Sequence, residues 1–336
     1  MTIATPAILN EAVLHEALTG LTSTPQKTLP PWLFYDERGS QLFEQITTLP
    51  EYYLTRTERA LFAAHADDIF LEFASPGAPA GTPLPPENAV TIAELGAGTA
   101  TKTGLLLQAA IRFQPQVLYR PIDVSPSALH EAAASLSANI PGVVVQPQVA
   151  NYVTERYTLH RPHDHRILTL YIGSSIGNFS HPEAVSILRR LRSHLAAGDA
   201  LLLGTDLAPG QHKSVATMLA AYDDSEGVTA AFNKNILTRL NQDLDADFNL
   251  DAFAHRARWN SAYSRIEMHL ESLLPQTVHI VGQRITFARG ETIHTENSHK
   301  FTDAALATLL ASTGFAATRT FHDPNRSFAV TLAHTV

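Results

Sequence analysis

The chain has 336 residues, a formal net charge of −8, 45% hydrophobic and 17% charged residues, and no cysteine. That length fits one large domain or two moderate ones. The missing cysteines exclude disulfides, thiolate zinc sites and a cysteine nucleophile, and an acidic balance without a Lys/Arg cluster argues against nucleic acid as a partner. No apolar run reaches the roughly 18 residues of a membrane helix. The opening MTIATPAILNEAVLHEAL lacks a basic stretch before an apolar core, so no signal peptide is expected. These features predict a cytoplasmic protein that acts as a monomer, away from membranes.

In chain order, residues 7–20 read as an amphipathic helix. The next segment, LPPWLFYDERGSQLFEQITTLPEYYLTRTE, is too apolar for a linker and is expected to pack. Residues 57–73 read as helical, and 74–89, rich in Pro, Gly and Ala, as a surface loop. A regular alternation follows. Strands are expected at 90–95, 117–125, 143–150, 166–173 and 200–207, with helices at 101–112, from Pro126, and at 181–196. That pattern predicts a parallel sheet covered on both faces. Residues 211–244 read as helical, and 263–297 as two or three antiparallel strands, from runs such as RIEMHLES and HIVGQRITFA. A helix at 302–313 and a hairpin of AATRTF and SFAVTLAH around DPNR close the chain. The block 209–297 therefore looks inserted into an open α/β sheet, whose ligands bind outside the carboxyl ends of the strands.

Gly96-Ala97-Gly98 follows the first strand of the alternation, where glycines permit a tight turn and close backbone approach. Asp123 ends the next strand, where a carboxylate can accept hydrogen bonds from ribose hydroxyls. The bland alternative is that the glycines only turn the chain and Asp123 caps the helix at Pro126. The dinucleotide fingerprint wants a third glycine where this chain has Thr101, so a cofactor with ribose and adenine but no phosphates fits better.

ELGAGTATKT and PIDVSPSAL resemble the cofactor site of class I methyltransferases. A wider resemblance covers nearly the whole chain. FYDERGSQLFEQITTLPEYYLTRTE, LYIGSSIGNF, LLLGTDL, AAYDDSEGVTAAFNKNIL, SRIEMHLES and TENSHKF are similar to the histidine Nα-methyltransferase family. That family makes hercynine, the trimethylated histidine that begins ergothioneine biosynthesis.

The resemblance implies a Rossmann-like mixed sheet with a terminal antiparallel hairpin, plus a second α+β substrate-binding domain. Residues 57–208 and 298–336 would bind the cofactor, and 1–56 and 209–297 the substrate. It implies S-adenosylmethionine as cofactor, with S-adenosylhomocysteine as product, and L-histidine as substrate. Glu94, Gly96, Gly98, Lys102, Asp123, Asn151, Gly173 and Ser175 would line the cofactor. Asn151 stands where the family usually has an aspartate facing the adenine amine; its carbonyl can still accept. Asn178 and Tyr222 match residues that hold the α-carboxylate and amine, and Tyr35 and Tyr52 match tyrosines lining the pocket. Glu296 and Ser298 match the pair that reads the imidazole, and Phe43, Thr229, Phe232 and Met268 match pocket walls. Tyr52 and Asn178 are expected to orient the amine in catalysis, with no triad.

Read without the family, Tyr52 and Tyr53 would be core aromatics and Glu296 a solvated strand edge. His160, His163 and His165 read as an exposed loop, and Glu267 as part of an ordinary half-buried strand. No metal is expected. The competing functions are methylation of another aromatic amino acid, nicotinamide-dependent oxidoreduction, and non-catalytic cofactor binding.

Overall fold

The computed structural model describes residues 6–77 and 89–336. In chain order its helices are α1 (Pro6–Leu21), α2 (Glu37–Thr48), α3 (Tyr53–Ala74), α4 (Thr103–Phe113), α5 (Pro126–Asn139), α6 (His181–His194), α7 (Val215–Ala220), α8 (Val228–Leu244) and α9 (Asp303–Ser312). The strands are β1 (Lys27–Thr28), β2 (Val90–Leu95), β3 (Val117–Asp123), β4 (Val143–Val145), β5 (Gln148–Val149), β6 (Arg166–Tyr171), β7 (Ala200–Asp206), β8 (Phe253–Asn260), β9 (Arg265–Ser272), β10 (Gln276–Ile280), β11 (Gln283–Phe287), β12 (Thr292–His299), β13 (Phe315–His322) and β14 (Phe328–Thr335). The chain divides into two compact units. The first combines the residues up to Tyr53 with Ser214–Ser298; the second combines Leu54–Lys213 with His299–Val336.

The second unit is built on a sheet ordered β13-β14-β7-β6-β2-β3-β4, with β5 beside β3. The strands β4, β3, β2, β6 and β7 run parallel, and β14 and β13 close the edge antiparallel. This is the expected Rossmann-like mixed sheet with a terminal antiparallel hairpin. Every residue of β2 and β7 is buried, as expected of strands covered on both faces. One core cluster unites Leu95, Ile122, Ile167, Tyr171, Leu188, Leu201, Leu309 and Phe315. The strand order reverses at β2, whose neighbours are β3 and β6. The loops after β2, β3 and β6 therefore open at the topological switch point, where such sheets place ligands. At the end of β7, the buried Asp206 carboxylate pairs with two buried lysines, Lys213 (2.5 Å) and Lys300 (2.7 Å).

The first unit has a sheet ordered β1-β12-β9-β8 and a β10–β11 hairpin. The long helix α8 packs on α1, α2, β8 and β9, burying Phe232, Ile236, Leu237 and Leu240.

Several boundaries differ from the sequence reading. The stretch 143–150 is two short strands, β4 and β5, interrupted around Pro147, which has no N–H to give a ladder. The 211–244 region is two helices, because residues 221–227 form a loop that ends on Gly227 at φ 75°. HIVGQRITFA is not one strand: Val281 and Gly282 both take positive φ (47° and 76°), so the run folds back as a two-residue hairpin. The strand β8 went unread, because its buried positions include the polar His255. Residues 78–88, most of the predicted 74–89 loop, lie outside the described residues. Among the described residues, no helix is long and apolar enough to cross a membrane.

Candidate active site

In the second unit, the loop after β2 turns through Gly96 (φ 70°) and Gly98 (φ 52°), a region that penalises side chains. Asp123, at the end of β3, holds this loop: its Oδ2 accepts the Gly98 N–H at 2.8 Å, and its Oδ1 accepts the Ser125 N–H at 2.9 Å. The cap of α5 is Ser125, whose hydroxyl accepts the Ala128 N–H at 3.3 Å, so Asp123 is not the helix cap. Burial raises the Asp123 pKa, and the backbone N–H donors oppose the rise. A Cβ placed on Gly98 would meet nothing within 4 Å, so the loop presents an open backbone face. Glycine backbone beside a carboxylate at a strand end fits a ribose-bearing, phosphate-free cofactor.

The turn after β6 lies beside Lys102, at the start of α4. Gly173 (φ 75°) lies so close to Lys102 that a Cβ there would stand 3.3 Å from the lysine Nζ. Both are held by Glu58 of α3. This fully buried carboxylate accepts the Gly173 N–H with both oxygens (2.9 and 3.0 Å) and pairs with Lys102. Ser175 donates to the Ile172 carbonyl at 2.9 Å, and Asn178 ends the same turn. Gly177 has no room for a side chain, since a Cβ would lie 2.9 Å from the His299 carbonyl oxygen.

Two predicted cofactor residues carry structural bonds of their own. Glu94 is buried and accepts from Thr103 (2.7 Å) and Tyr119; burial raises its pKa to about 7. Asn151 uses its carbonyl to accept the Val153 N–H at 3.0 Å.

In the first unit five of the predicted substrate residues form a chain of rings that ends on Ser298, while Asn178 belongs to the second unit. The ring centroids of Tyr35 and Phe43 lie 5.8 Å apart, those of Tyr35 and Phe232 5.9 Å, and those of Phe43 and Phe232 6.0 Å. Tyr52 continues the chain of rings, 6.4 Å from Phe43 and 6.1 Å from Tyr222. The Tyr222 hydroxyl shares a 2.6 Å hydrogen bond with Ser298. Glu296, half-buried, lies two residues before Ser298 on β12, on the same face of the strand. Met268 is buried on β9, and Thr229, in the first turn of α8, donates its N–H to Asp224 at 2.7 Å.

Glu267, His269 and His294 bring three possible metal-ligand atoms within 4.8 Å. The sequence reading passed over this cluster, because β9 and β12 are distant in the chain. Burial raises the pKa of the Glu267 carboxylate, but hydrogen bonds from Arg265 (2.7 Å), Asn260 (2.9 Å) and His269 (3.2 Å) together outweigh it and hold the pKa down to about 2. The rings of His269 and His294 stack with centroids 4.7 Å apart. The group is a polar ladder on one face of the sheet.

Glu58 also escaped the sequence reading. The available signal was a charge inside the stripe of α3 that buries Leu54, Leu61 and Phe62.

The family described as histidine-specific, SAM-dependent methyltransferase matches residues 13–335. A histidine N-alpha-methyltransferase of Mycolicibacterium smegmatis is 40% identical over 325 residues, covering 96% of this chain and 95% of its own. One of Mycobacterium tuberculosis is 38% identical over 324 residues, covering 96% and 94%. Ergothioneine biosynthesis protein 1 of Schizosaccharomyces pombe is 34% identical over 219 residues, covering 63% of this chain and 26% of that protein.

Proposed function

Because the chain belongs to the family of SAM-dependent, histidine-specific methyltransferases, we propose that it transfers three methyl groups in succession from S-adenosylmethionine to the α-amino nitrogen of L-histidine, giving hercynine. That is the opening step of ergothioneine biosynthesis. The observation that carries this reading is the convergence of Tyr35, Phe43, Tyr52, Tyr222 and Phe232 on the Tyr222–Ser298 bond. The second unit would bind the cofactor and the first the amino acid. The protein would work as a monomer in the cytoplasm, without nucleic acid or membrane; the absence of cysteine and the acidic charge support this placement.

The cofactor supplies a methyl group already activated by the sulfonium charge. What remains for the chain is to bind and align. Gly96, Gly98, Asp123, Asn151, Gly173 and Ser175 would hold the cofactor, with Lys102 fixed by Glu58 at its edge. Correct alignment of nitrogen and methyl can supply several kcal/mol of the barrier. The substrate amine must present a lone pair, so its proton leaves before transfer. Asn178 and Tyr222 would hold the carboxylate and amine, and Tyr52 would orient the nitrogen rather than deprotonate it. The amine pocket must accept NH₂, NHCH₃ and N(CH₃)₂ in turn, which favours apolar ring walls over a full set of hydrogen bonds. At the other end, Glu296 would accept an imidazole N–H and Ser298 would serve the second nitrogen. Buried polar groups left unpaired are costly, so amino acids without ring nitrogens should be rejected.

The test mixes the protein with S-adenosylmethionine and each of the twenty amino acids and reads added methyl groups by mass spectrometry. Histidine alone should reach the trimethyl product; equal turnover of another aromatic amino acid would overturn the substrate assignment. Glu296→Ala should raise the KM for histidine while leaving S-adenosylhomocysteine affinity unchanged, and an equal loss of both would remove Glu296 from the imidazole site.

A further inference from the structure

The first unit also holds a buried polar network, and the His269 carbonyl sets its hydrogen-bonding roles. Its hub is Asn233, fully buried on α8 among apolar neighbours. The Asn233 Nδ2 faces the His269 carbonyl at 3.1 Å. A carbonyl only accepts, so this atom is the amide nitrogen and the other is Oδ1. Oδ1 accepts the Thr295 hydroxyl at 2.7 Å. The same Nδ2 also faces His255 Nδ1 at 2.8 Å, so that ring nitrogen must accept. The far side of the ring, His255 Nε2, lies 2.8 Å from the Tyr222 carbonyl and must donate. His255 is therefore neutral, with its proton on Nε2. Burial lowers its pKa, in the same direction.

The network ends at two positions the proposed function uses. Tyr222 sits on the loop between α7 and α8, and His255 is the side chain that grips its carbonyl. Thr295 directly precedes Glu296 on β12, and its hydroxyl also lies 3.0 Å from the Met268 carbonyl. One asparagine thus ties the Tyr222 loop, the Met268 strand and the Glu296–Ser298 strand to a single helix. Buried polar groups like these could be replaced by apolar ones at little cost to stability. What the network adds is a fixed spacing between Tyr222 and the residues around Glu296.

We propose that Asn233 and His255 are positioning residues for the amino-acid substrate, setting the register of Tyr222 against Glu296 and Ser298. The proposal deepens the reading of Tyr222, Glu296 and Ser298 as substrate residues and rests on it. Protonation of His255 would break the device. A proton on Nδ1 would face the Asn233 amide donor, and turning the amide over would set Oδ1 against the His269 carbonyl, although the Thr295 hydroxyl could then accept from Nδ2 and donate to the Met268 carbonyl. The charged groups that act on His255 are Asp223, 3.9 Å from Nε2, together with Asp224 and Arg256.

The experiment measures the KM for histidine, kcat, calorimetric affinity for S-adenosylhomocysteine and Tm for His255→Phe, Asn233→Ala and His255→Gln, with Tyr222→Phe as reference. A glutamine can donate from its amide nitrogen to the Tyr222 carbonyl and accept from Asn233, so it should restore function. His255→Phe and Asn233→Ala should raise the KM for histidine about tenfold or more, with S-adenosylhomocysteine affinity unchanged. His255→Gln should return the KM to within about threefold of the parent. As pH falls below 6.5, the parent should lose histidine affinity more steeply than His255→Gln, which has no ring to protonate. A lowered Tm with an unchanged KM in His255→Phe and Asn233→Ala would overturn the proposal. So would superimposable pH profiles of the parent and His255→Gln, a comparison that stands even if His255→Phe fails to fold. If Tyr222→Phe leaves the KM unmoved, the substrate role of Tyr222 falls and takes the proposal with it. If Tyr222→Phe raises the KM and the network variants do not, only the proposal falls.

Discussion

The two units build their candidate sites from different materials. In the second unit the working surface is largely main chain: the Gly96–Gly98 loop and the Gly173 turn lie at strand ends, steadied by the carboxylates of Asp123 and Glu58. In the first unit it is side chain: rings from five separate places in the chain, with a hydroxyl pair at their end. The polar support differs as well. Behind Gly173 stands an ion pair, Glu58–Lys102; behind Tyr222 stands a neutral chain of Asn233, His255 and Thr295. A surface made of backbone tolerates little change in conformation, whereas a surface made of side chains can be retuned one residue at a time.

The largest effect expected from this contrast is at Glu58. Glu58→Ala removes the acceptor of the Gly173 N–H and the partner of Lys102; the lysine is partly exposed and can turn to water, so the cost is chiefly that of an unsatisfied donor and a cavity, about 3 kcal/mol. Chemical denaturation should show that loss, together with weaker S-adenosylhomocysteine binding in calorimetry. A loss no larger than that of a surface substitution would make the ion pair ornamental.

The pH dependence of stability should separate the units next, with opposite signs. Burial lifts Glu94, in the second unit, from 4.5 to about 7. A raised pKa means that its stabilising contribution is complete below pH 4.5 and lost as pH rises through about 7. His269, in the first unit, is lowered from 6.5 to about 4, by burial first and the neighbouring His294 second. Its contribution is complete above pH 6.5 and lost as pH falls through about 4. Each swing is worth up to about 3 kcal/mol. Denaturation of Glu94→Gln should show a weaker fall in stability as pH rises from 4.5 through about 7, and of His269→Gln a weaker fall as pH drops from 6.5 through about 4. The same change in both variants would show that neither group titrates as its surroundings dictate.

Gly98→Ala comes third. Space is open there, so the cost to folding is the left-handed backbone alone, about 1–2 kcal/mol, while the new methyl occupies the face assigned to the cofactor. S-adenosylhomocysteine affinity should fall by more than Tm suggests; unchanged affinity would move the cofactor elsewhere. The smallest effect is at Tyr222→Phe, which removes the bond to Ser298. One such bond is worth about 1 kcal/mol, so the KM for histidine should rise roughly fivefold with little change in Tm.

The same contrast explains what could be read from the sequence. Gly96, Gly98 and Asp123 announce themselves because a strand, a glycine turn and a strand-end carboxylate follow one another within about thirty residues, a local pattern with a local cause. Tyr35, Phe43, Tyr52, Tyr222 and Phe232 carry no such signature; alone each is an ordinary core aromatic, and only resemblance to a known family groups them. Glu58 and Asn233 were invisible for a related reason. Each occupies a buried helix position that apolar periodicity assigns to the core, and what it binds lies far away in the sequence. The strand β8 was missed because its buried face is partly imidazole, and the β10–β11 turn because an uninterrupted β pattern conceals a reversal at Val281-Gly282.

The placement of β14 has a consequence for synthesis of the protein. β7 is buried along its whole length and pairs on one side with β14, which emerges from the ribosome more than a hundred residues later. Until then, a nascent chain carries an apolar strand with one unpaired edge, a template for intermolecular pairing. Release of chains broken off between Asp206 and Phe328 should therefore yield aggregates rather than shortened enzyme, and in cells a holdase should associate during that interval of translation.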